Sequence, residues 1–254
     1  MAIFVAASDE STGATHRDPF MRCGFLAPLD DWASLSEEWE RKVLNGPPTI
    51  SHLHMTDIRS PRWRQEHGIS DSDAAHRVEE AFQIIADWPS LTPIGMTINS
   101  GHLYDTYKKK VMLTSGAKKK FVPDHLAFTS YAYASILFCQ QHRPGAERID
   151  FIVEQNGDLT NHIKEFYVGM EEACNANGHP ELVSMLGNLS SADKNCVPLQ
   201  LADLLCWHTQ RYEKGALDAK ATQQYSGIAS RRGVRFEYTE SLLNELWIDL
   251  HLEE

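Results

Sequence analysis

The chain has 254 residues, a length that suits one large α/β domain or a domain with insertions, and that allows a substantial core. Hydrophobic residues make up 42% and charged residues 23%, which is a globular balance and excludes a disordered chain. The formal net charge of −11 excludes a protein that coats nucleic acid non-specifically. A nucleic-acid partner would therefore need a local basic patch or bound cations.

The cysteines and the apolar stretches favour a cytoplasmic protein. The five cysteines form no CxxC pair, are odd in number and sit in apolar stretches, as reduced core residues do. The apolar start, residues 1–7, is too short for a signal peptide and runs directly into Asp9 and Glu10. Because the longest apolar stretches are far shorter than a membrane span, we expect no membrane contact.

The first part of the chain predicts two strands and a helix. Residues 3–7 form a short, unbroken apolar run, which indicates a strand covered on both faces of an α/β sheet. Residues 21–27 predict a second strand, a hairpin partner of the first. Residues 30–44 carry apolar side chains at helical spacing, and the Asn-Gly-Pro-Pro at 45–48 ends that helix.

Residues 52–98 predict one segment of uncertain type, followed by a helix and a strand. Residues 52–56 fit either a short strand or a loop. Residues 70–88 predict a long helix that is capped by Ser70 or Asp71. Residues 92–98 predict another strand.

The remainder of the chain alternates between helix and strand. The pattern predicts strands over 148–154 and 182–186 and helices over 124–141, 158–176, 198–212 and 241–250. Strands that come early, followed by alternating helices and strands, are typical of a mixed sheet with helices on its faces. We therefore expect an α/β fold with a mixed five-stranded sheet flanked by helices, with helical insertions.

Three acidic residues stand where an ordinary surface role is hard to justify. Asp9 follows the first apolar strand and Glu154 ends another, so both should lie at the carboxyl ends of strands, where open α/β sheets bind ligands. Asp203 is the only formally charged residue between Lys194 and Arg211. A carboxylate buried there without a partner would cost several kcal/mol, and a cation held by neighbouring carboxylates would remove that cost.

Each of these acids also has a simpler interpretation. Asp9 would then cap the turn after the first strand, and Glu154 would be an exposed strand end with Asp150 as the fallback ligand. Asp203 would pair with a buried arginine, histidine or tyrosine. If the acids do cluster, their oxygen ligands favour Mg²⁺ or Mn²⁺ over zinc.

Four short segments resemble a known family. The opening at residues 9–13 (Asp-Glu-Ser-Thr-Gly) and the helix at 198–204 (Pro-Leu-Gln-Leu-Ala-Asp-Leu) are similar to the domain of unknown function 3800 family. So are the His-Met-Thr-Asp segment at 54–57 and the acidic strand end at 152–156. The resemblance spans residues 3–212, and Thr12 departs from it by lengthening the usual Asp-Glu-Ser-Gly turn.

The resemblance implies an RNase H-like fold with a two-metal site. In that superfamily an acid comes on the first strand, another on the fourth, and a third on a helix after the fifth. The implied site holds two Mg²⁺ or Mn²⁺ ions about 3.5–4 Å apart, with Asp9 bridging both and Glu154 and Asp203 each completing one side. Glu10 is a further candidate ligand, and Asp57, Asp150 and Asp193 are alternatives.

The expected domain organisation is a single RNase H-like domain over residues 1–254. It would carry a helical insertion at about 30–90, a basic loop at about 105–122 and an acidic, helical C-terminal tail at about 237–254. The tail would shield a basic groove, dock a partner or keep the protein soluble.

His54 is a candidate for proton transfer or for steering the attacking water. Its simpler interpretation is a loop histidine that is hydrogen-bonded to Asp57. His52 and His54 together form a His-x-His pair, which keeps open a zinc hydrolase, although no spaced third ligand accompanies the pair.

Six lysines are candidates for substrate binding. They fall within thirteen residues with no acid among them and are flanked by aromatic residues, a composition that can bind backbone phosphates and stack bases. The alternative is a solvated surface loop. The lysines are Lys108, Lys109, Lys110, Lys118, Lys119 and Lys120.

The sequence therefore favours a divalent-metal-dependent nuclease that hydrolyses phosphodiester bonds of DNA or RNA. The alternative is a non-catalytic binding or regulatory subunit with the same fold, for example in a defence or mobile-element system. A protein partner or a homo-oligomer fits either function.

Overall fold

The centre of the sheet is a hairpin formed by the first two strands. The structure, a computed structural model, describes residues 2–11, 19–98, 123–176, 180–239 and 241–242. The apolar run near the N-terminus forms strand β1 (Ala2–Ser11), which pairs antiparallel with β2 (Phe20–Pro28), as the sequence predicted.

The described residues form a six-stranded mixed sheet that includes β3 (Thr92–Ile98), β4 (Ala146–Glu154), β5 (Leu186–Ala192) and β6 (Val234–Tyr238). The strand order is β5-β4-β1-β2-β3-β6. β1, β2 and β3 are successively antiparallel, β4 runs parallel to β1, β5 to β4, and β6 to β3. The predicted α/β class with a mixed sheet flanked by helices is confirmed, but the sheet has six strands rather than five.

Two edge strands account for the differences from the predicted strands. The strand predicted at 182–186 is wrong, because a short helix covers residues up to Val183 and β5 begins only at Leu186. β5 is rich in Gly, Asn and Ser, and none of its residues is fully buried. β6 has five residues, two of them charged. Edge strands with one solvated side lack the apolar run that identifies a central strand.

Four helices of different lengths connect β2 to β3. The predicted helix at 30–44 is confirmed, although its last part, Glu40–Leu44, is a π-helical turn. The segment predicted at 52–56 as strand or loop is extended before a helix begins at Met55. Ser70 caps the long helix through a capping box with Asp73. The helices are α1 (Leu29–Trp39), α2 (Met55–Arg59), α3 (Pro61–Glu66) and α4 (Asp71–Asp87).

The later helices cover both faces of the sheet. α8 (Val197–Glu213) packs against β1 and β2 on one face, where it meets α1 and α2, and α5 (Pro123–His142) packs against β2 and β3 on the other. α9 (Ala219–Ala229) was not predicted, and of the predicted helix at 241–250 only residues 241–242 are described. The other later helices are α6 (Gly157–Ala176) and α7 (Pro180–Val183).

Strand alternation determines which face each acidic side chain reaches. Val5 belongs to the core on the α8 side, whereas Phe4 and Ala6 belong to the core on the α5 side. Because successive strand residues point to opposite faces, Asp9 lies on the α8 side and Glu10 on the α5 side. In the described ranges, no helix is long and apolar enough to cross a membrane.

Candidate functional site

Asp9 lies within β1, where the neighbouring strand β4 ends. It pairs with Cys23 of β2, so it belongs to the strand rather than to a turn after it. The parallel ladder between β1 and β4 ends at the pair Ser8 and Val153, and Asp9 and Glu154 are the next residue on each strand. Glu154 is the last residue of β4, as the sequence predicted, whereas the turn predicted to begin at Asp9 is wrong, because β1 continues to Ser11. Asp9 is only 8% exposed.

Asp203 approaches the same place from α8. Its neighbours Ala202 and Leu204 are fully buried, and its own side chain is 14% exposed. The backbone N–H of Met55 donates a hydrogen bond to Oδ2 at 2.6 Å, and Nε2 of His54 lies 3.7 Å from Oδ1. The contacts that Asp203 makes are thus with a backbone amide and a histidine that is charged only when protonated.

The charges of these acids destabilise one another. Burial, followed by the carboxylates of Asp203, Glu10 and Glu154, raises the pKa of Asp9 well above its usual range. Burial also raises the pKa of Asp203, although His54 and the Met55 amide oppose the change. Desolvated like charges of this kind are stabilised when a cation binds among them.

Glu10 differs from the other acids because it has a cationic partner. Nη2 of Arg22 donates to Glu10 Oε2 at 3.0 Å, and Nη1 donates to Ser8 Oγ at 3.1 Å. The Arg22 side chain is fully buried, with its guanidinium 5.8 Å from the ring centroid of Phe128. Glu10 therefore belongs to an ion pair on the α5 side of the sheet.

The carboxylates also meet a distance criterion for a metal. Ligand oxygens of Asp9, Glu10 and Glu154 all lie within 4.8 Å of one another. Asp203 is outside that set of three, and it lines a small cleft with Asp9 and Glu154. The geometry therefore gathers all four proposed metal ligands at one end of the sheet.

His54 is oriented by Asp57. Nδ1 of His54 lies 3.0 Å from Asp57 Oδ2, and Nε2 of His52 lies 3.4 Å from the same oxygen. Burial raises the pKa of Asp57. The interactions of its carboxylate with His54, Lys194 and His52 outweigh burial, so this pKa lies below its usual value. In the described part of the chain, no group of three ligand atoms that could hold a metal includes either histidine.

Gln200 joins the site to the helices between β2 and β3. Its Oε1 accepts hydrogen bonds from Trp39 Nε1 at 2.8 Å and from the Leu53 amide at 3.0 Å. Its Nε2 donates to the carbonyl oxygen of Lys194 at 3.0 Å. One buried side chain thus fixes the segment that carries His54 against α8. The sequence signal for this role was a polar residue among apolar neighbours in the first turns of the helix.

Lys194 is a second site residue that the sequence did not identify. Its Nζ lies 3.7 Å from Asp57 Oδ2, and the residue lines the cleft with Asp9 and Asp203. It lies in the segment between β5 and α8, and no pattern in that segment marks it.

The alternative acids have other partners. Asp150 contacts Arg148, with its Oδ1 3.0 Å from Nε, and also accepts a hydrogen bond from the Asn188 amide at 2.8 Å. Asp193 accepts from the Asn195 amide at 2.9 Å. Neither belongs to the group of three ligand atoms. The six candidate lysines between 108 and 120, the segment at 12–18 with Thr12, and most of the acidic tail lie outside the described residues.

The comparisons with known proteins add no relative. No protein-family model matches the sequence, and no curated protein matches it significantly.

Proposed function

We propose that the protein is a divalent-metal-dependent phosphodiester hydrolase with an RNase H-like arrangement of carboxylates. The observation that carries the proposal is the cluster of Asp9, Glu154 and Asp203 at one end of the sheet. Asp9 and Asp203 are desolvated, their pKa values are raised, and no arginine pairs with them among the described residues. Charges held in this way are typical of a functional site.

The strand order supports the RNase H-like assignment. The acids lie on the first strand, at the end of the fourth, and on the helix that follows the fifth, which is the order that the resemblance to the domain of unknown function 3800 family implies. β6 would then be an addition beside β3. Nucleic acid, DNA or RNA, is the proposed substrate, and the cytoplasm is the proposed location.

The carboxylates fit Mg²⁺ or Mn²⁺ because they offer hard oxygen ligands. Asp9, Glu154 and Asp203 would hold the metal, and Glu10 would complete the set. When bound, the metal supplies an activated water and stabilises the leaving oxygen of the phosphodiester. The ligand oxygens of Asp9, Glu10 and Glu154 already lie within 4.8 Å of one another, so these three acids could share a cation without rearrangement of β1 or β4.

His54 would accept a proton from the attacking water. If Nδ1 donates its proton to Asp57, the lone pair of Nε2 faces the cleft beside Asp203. Asp57 thereby orients the ring, and Lys194 Nζ, which can only donate, lies 3.4 Å from the same Nδ1. The proposed role depends on this orientation.

The test is cleavage of labelled single-stranded DNA and RNA by purified protein with Mn²⁺. Asp9→Asn and Asp203→Asn should each lower the rate by at least roughly 10³-fold, because each removes a charge that holds the metal. Asp150→Asn is the matched control, since it removes a carboxylate of β4 that lies outside the cluster, and it should change the rate little. Cleavage that persists in both Asp9→Asn and Asp203→Asn would contradict the proposal.

A second function is a non-catalytic nucleic-acid-binding subunit. Lys194 favours it, because its ammonium group lowers the pKa of Asp203 and so supplies part of the positive charge that a metal would bring. In that case the protein would bind nucleic acid and cleave neither DNA nor RNA.

A further inference from the structure

Two arginines contact one tryptophan on α8, one turn beyond Asp203. The Cζ atom of Arg211 lies 4.0 Å from the ring centroid of Trp207, and that of Arg59, at the end of α2, lies 5.3 Å from it. Contacts at these distances are cation–π interactions. Arg59 is exposed, and Trp207 and Arg211 are half-buried, so all three side chains are accessible.

Neither arginine has an anionic partner among the described residues. Within the described residues, the side chains of Arg59 and Arg211 make no hydrogen bond and no ion pair. The two nearby acids have other partners: Asp71 pairs with Arg64 at 2.7 Å, and Asp218 caps α9 by accepting from the Ala221 amide at 2.8 Å. The patch therefore carries unpaired positive charge on a chain whose net charge is −11.

The third arginine, Arg64, extends the patch to a cavity. Arg59 and Arg64 line a space of about 310 Å³ beside Ile58 and Asp71. Burial, and then Arg211 and Arg64, lower the pKa of Arg59 against the opposing effect of Asp218. Arg64 is already paired with Asp71, so Arg59 and Arg211 are the two guanidinium groups that a bound anion would stabilise.

The patch is aligned with the carboxylate cluster. Asp203, Trp207 and Arg211 follow one another at intervals of four residues, so Trp207 lies about 6 Å and Arg211 about 12 Å from Asp203 along the helix axis. α2 runs alongside, from Met55, whose amide binds Asp203, to Arg59. A nucleic-acid strand in a duplex carries one charge per roughly 3.4 Å of axis, so 12 Å corresponds to three or four phosphates.

We infer that Arg59, Arg211 and Trp207 form a binding site for the phosphodiester backbone of a nucleic-acid strand that enters the carboxylate cluster. The guanidinium groups contact phosphate oxygens. Trp207 positions both groups through its cation–π contacts, or its ring offers a surface on which a base stacks. The site deepens the proposed function, because it names the contacts that position the substrate.

The test is binding of a fluorescein-labelled 20-nucleotide DNA and of the RNA of the same sequence, measured by anisotropy with EDTA present. Arg59→Gln/Arg211→Gln should weaken the binding of both roughly tenfold or more, because two phosphate contacts are lost. The slope of log K against log salt should fall by about 1.4 for single strands, since each contact contributes about 0.7. Arg41→Gln, at another exposed arginine, is the matched control and should change neither quantity.

A change in the slope separates phosphate contact from a purely structural role, which would not alter it. Unchanged affinity and slope in the double variant would overturn the inference, as would a wild-type protein that binds neither oligonucleotide. If the double variant does not fold, phenylglyoxal labelling of the wild type replaces it. The oligonucleotide should then protect Arg59 and Arg211 but not Arg41, and equal labelling with and without oligonucleotide would contradict the inference.

The outcome is distinguishable from that of the proposed hydrolysis. If binding depends on Arg59 and Arg211 but the wild type does not cleave, the result supports this binding site and contradicts the proposed hydrolysis. If the double variant cleaves with an unchanged KM, the result supports the hydrolysis and contradicts this binding site.

Discussion

The two faces of β1 treat adjacent carboxylates in opposite ways. On the α5 side, Glu10 meets the fully buried guanidinium of Arg22 at 3.0 Å. On the α8 side, Asp9 meets Asp203 and Glu154, and burial, followed by the charges of Asp203, Glu10 and Glu154, raises its pKa. Adjacent residues of the strand thus differ: Glu10 has a cationic partner, whereas Asp9 lies among other acids.

This contrast indicates different roles for the two sides. A buried charge that has its counter-ion is compensated, and removal of one partner leaves the other uncompensated. Buried like charges lower the stability of the metal-free protein, and His54 and Lys194 supply only part of the counter-charge that a bound cation would complete. The α5 side should therefore determine folding stability, and the α8 side should determine cation binding.

The largest expected effect on stability is on the α5 side. Arg22→Met should lower the free energy of unfolding by about 3 kcal/mol, because it leaves the carboxylate of Glu10 without its cation in a mostly buried site. Urea denaturation measures the change. Arg41→Met, at a side chain that is 69% exposed, should change stability by less than about 0.5 kcal/mol.

The double variant Arg22→Met/Glu10→Gln separates the loss of the ion pair from other effects of removing Arg22. It should recover part of the lost stability, since it removes both charges. A double variant no more stable than Arg22→Met alone would show that the ion pair is not the source of the effect.

The next effect is on the α8 side and requires a cation. Mn²⁺ at 100 times its Kd should raise the free energy of unfolding by about 2.7 kcal/mol, because it binds only the folded protein. Calorimetric titration gives the affinity and thermal unfolding gives the shift. Glu154→Gln should weaken binding more than Glu10→Gln, since the carboxylate of Glu10 is already held by Arg22. The reverse order of the two variants would contradict the proposed difference between the faces.

The smallest effect is a gain of stability on removal of a site residue. The pKa of Asp9 is raised in the folded protein. Below the unfolded pKa of about 3.9, Asp9 is protonated in both the folded and the unfolded state and does not destabilise the fold. As the pH rises from there through the folded pKa, the free energy of unfolding falls progressively. With EDTA present, Asp9→Asn should therefore be about 1 kcal/mol more stable than the wild type at neutral pH, and the difference should vanish in acid. Urea denaturation at pH 4 and pH 7.5 compares the two, with Asp150→Asn as the control. A stability difference that does not depend on pH would show that the charge of Asp9 is not its cause.

The α8 side of the site could be predicted from the sequence to a large extent. An apolar run before Asp9 and another before Glu154 place both acids towards the carboxyl ends of buried strands, and the apolar helix around Asp203 requires a partner for its charge. The parallel pairing of β1 and β4 then brings the two strand ends together.

The α5 side could not be predicted in the same way. The pairing of Glu10 with Arg22 depends on the register of the hairpin, and a shift by one residue would reverse the face of every side chain in β2. Arg22 stands in an otherwise apolar strand, and nothing adjacent in the sequence identifies its partner. The contacts of Gln200 with Trp39 and Leu53 join residues that are 161 and 147 positions apart, so they too depend on the complete fold.

The hydrogen bond from the Met55 amide to Asp203 has a consequence for spectroscopy. Because the donor belongs to the backbone, the bond is available in every variant that keeps Asp203, and its proton lies against one of the proposed ligand oxygens at a donor–acceptor distance of 2.6 Å. A cation that withdraws electron density from that oxygen would weaken the bond and move the amide proton resonance of Met55 upfield. A single backbone signal of the native protein would thereby report whether the carboxylate cluster is occupied.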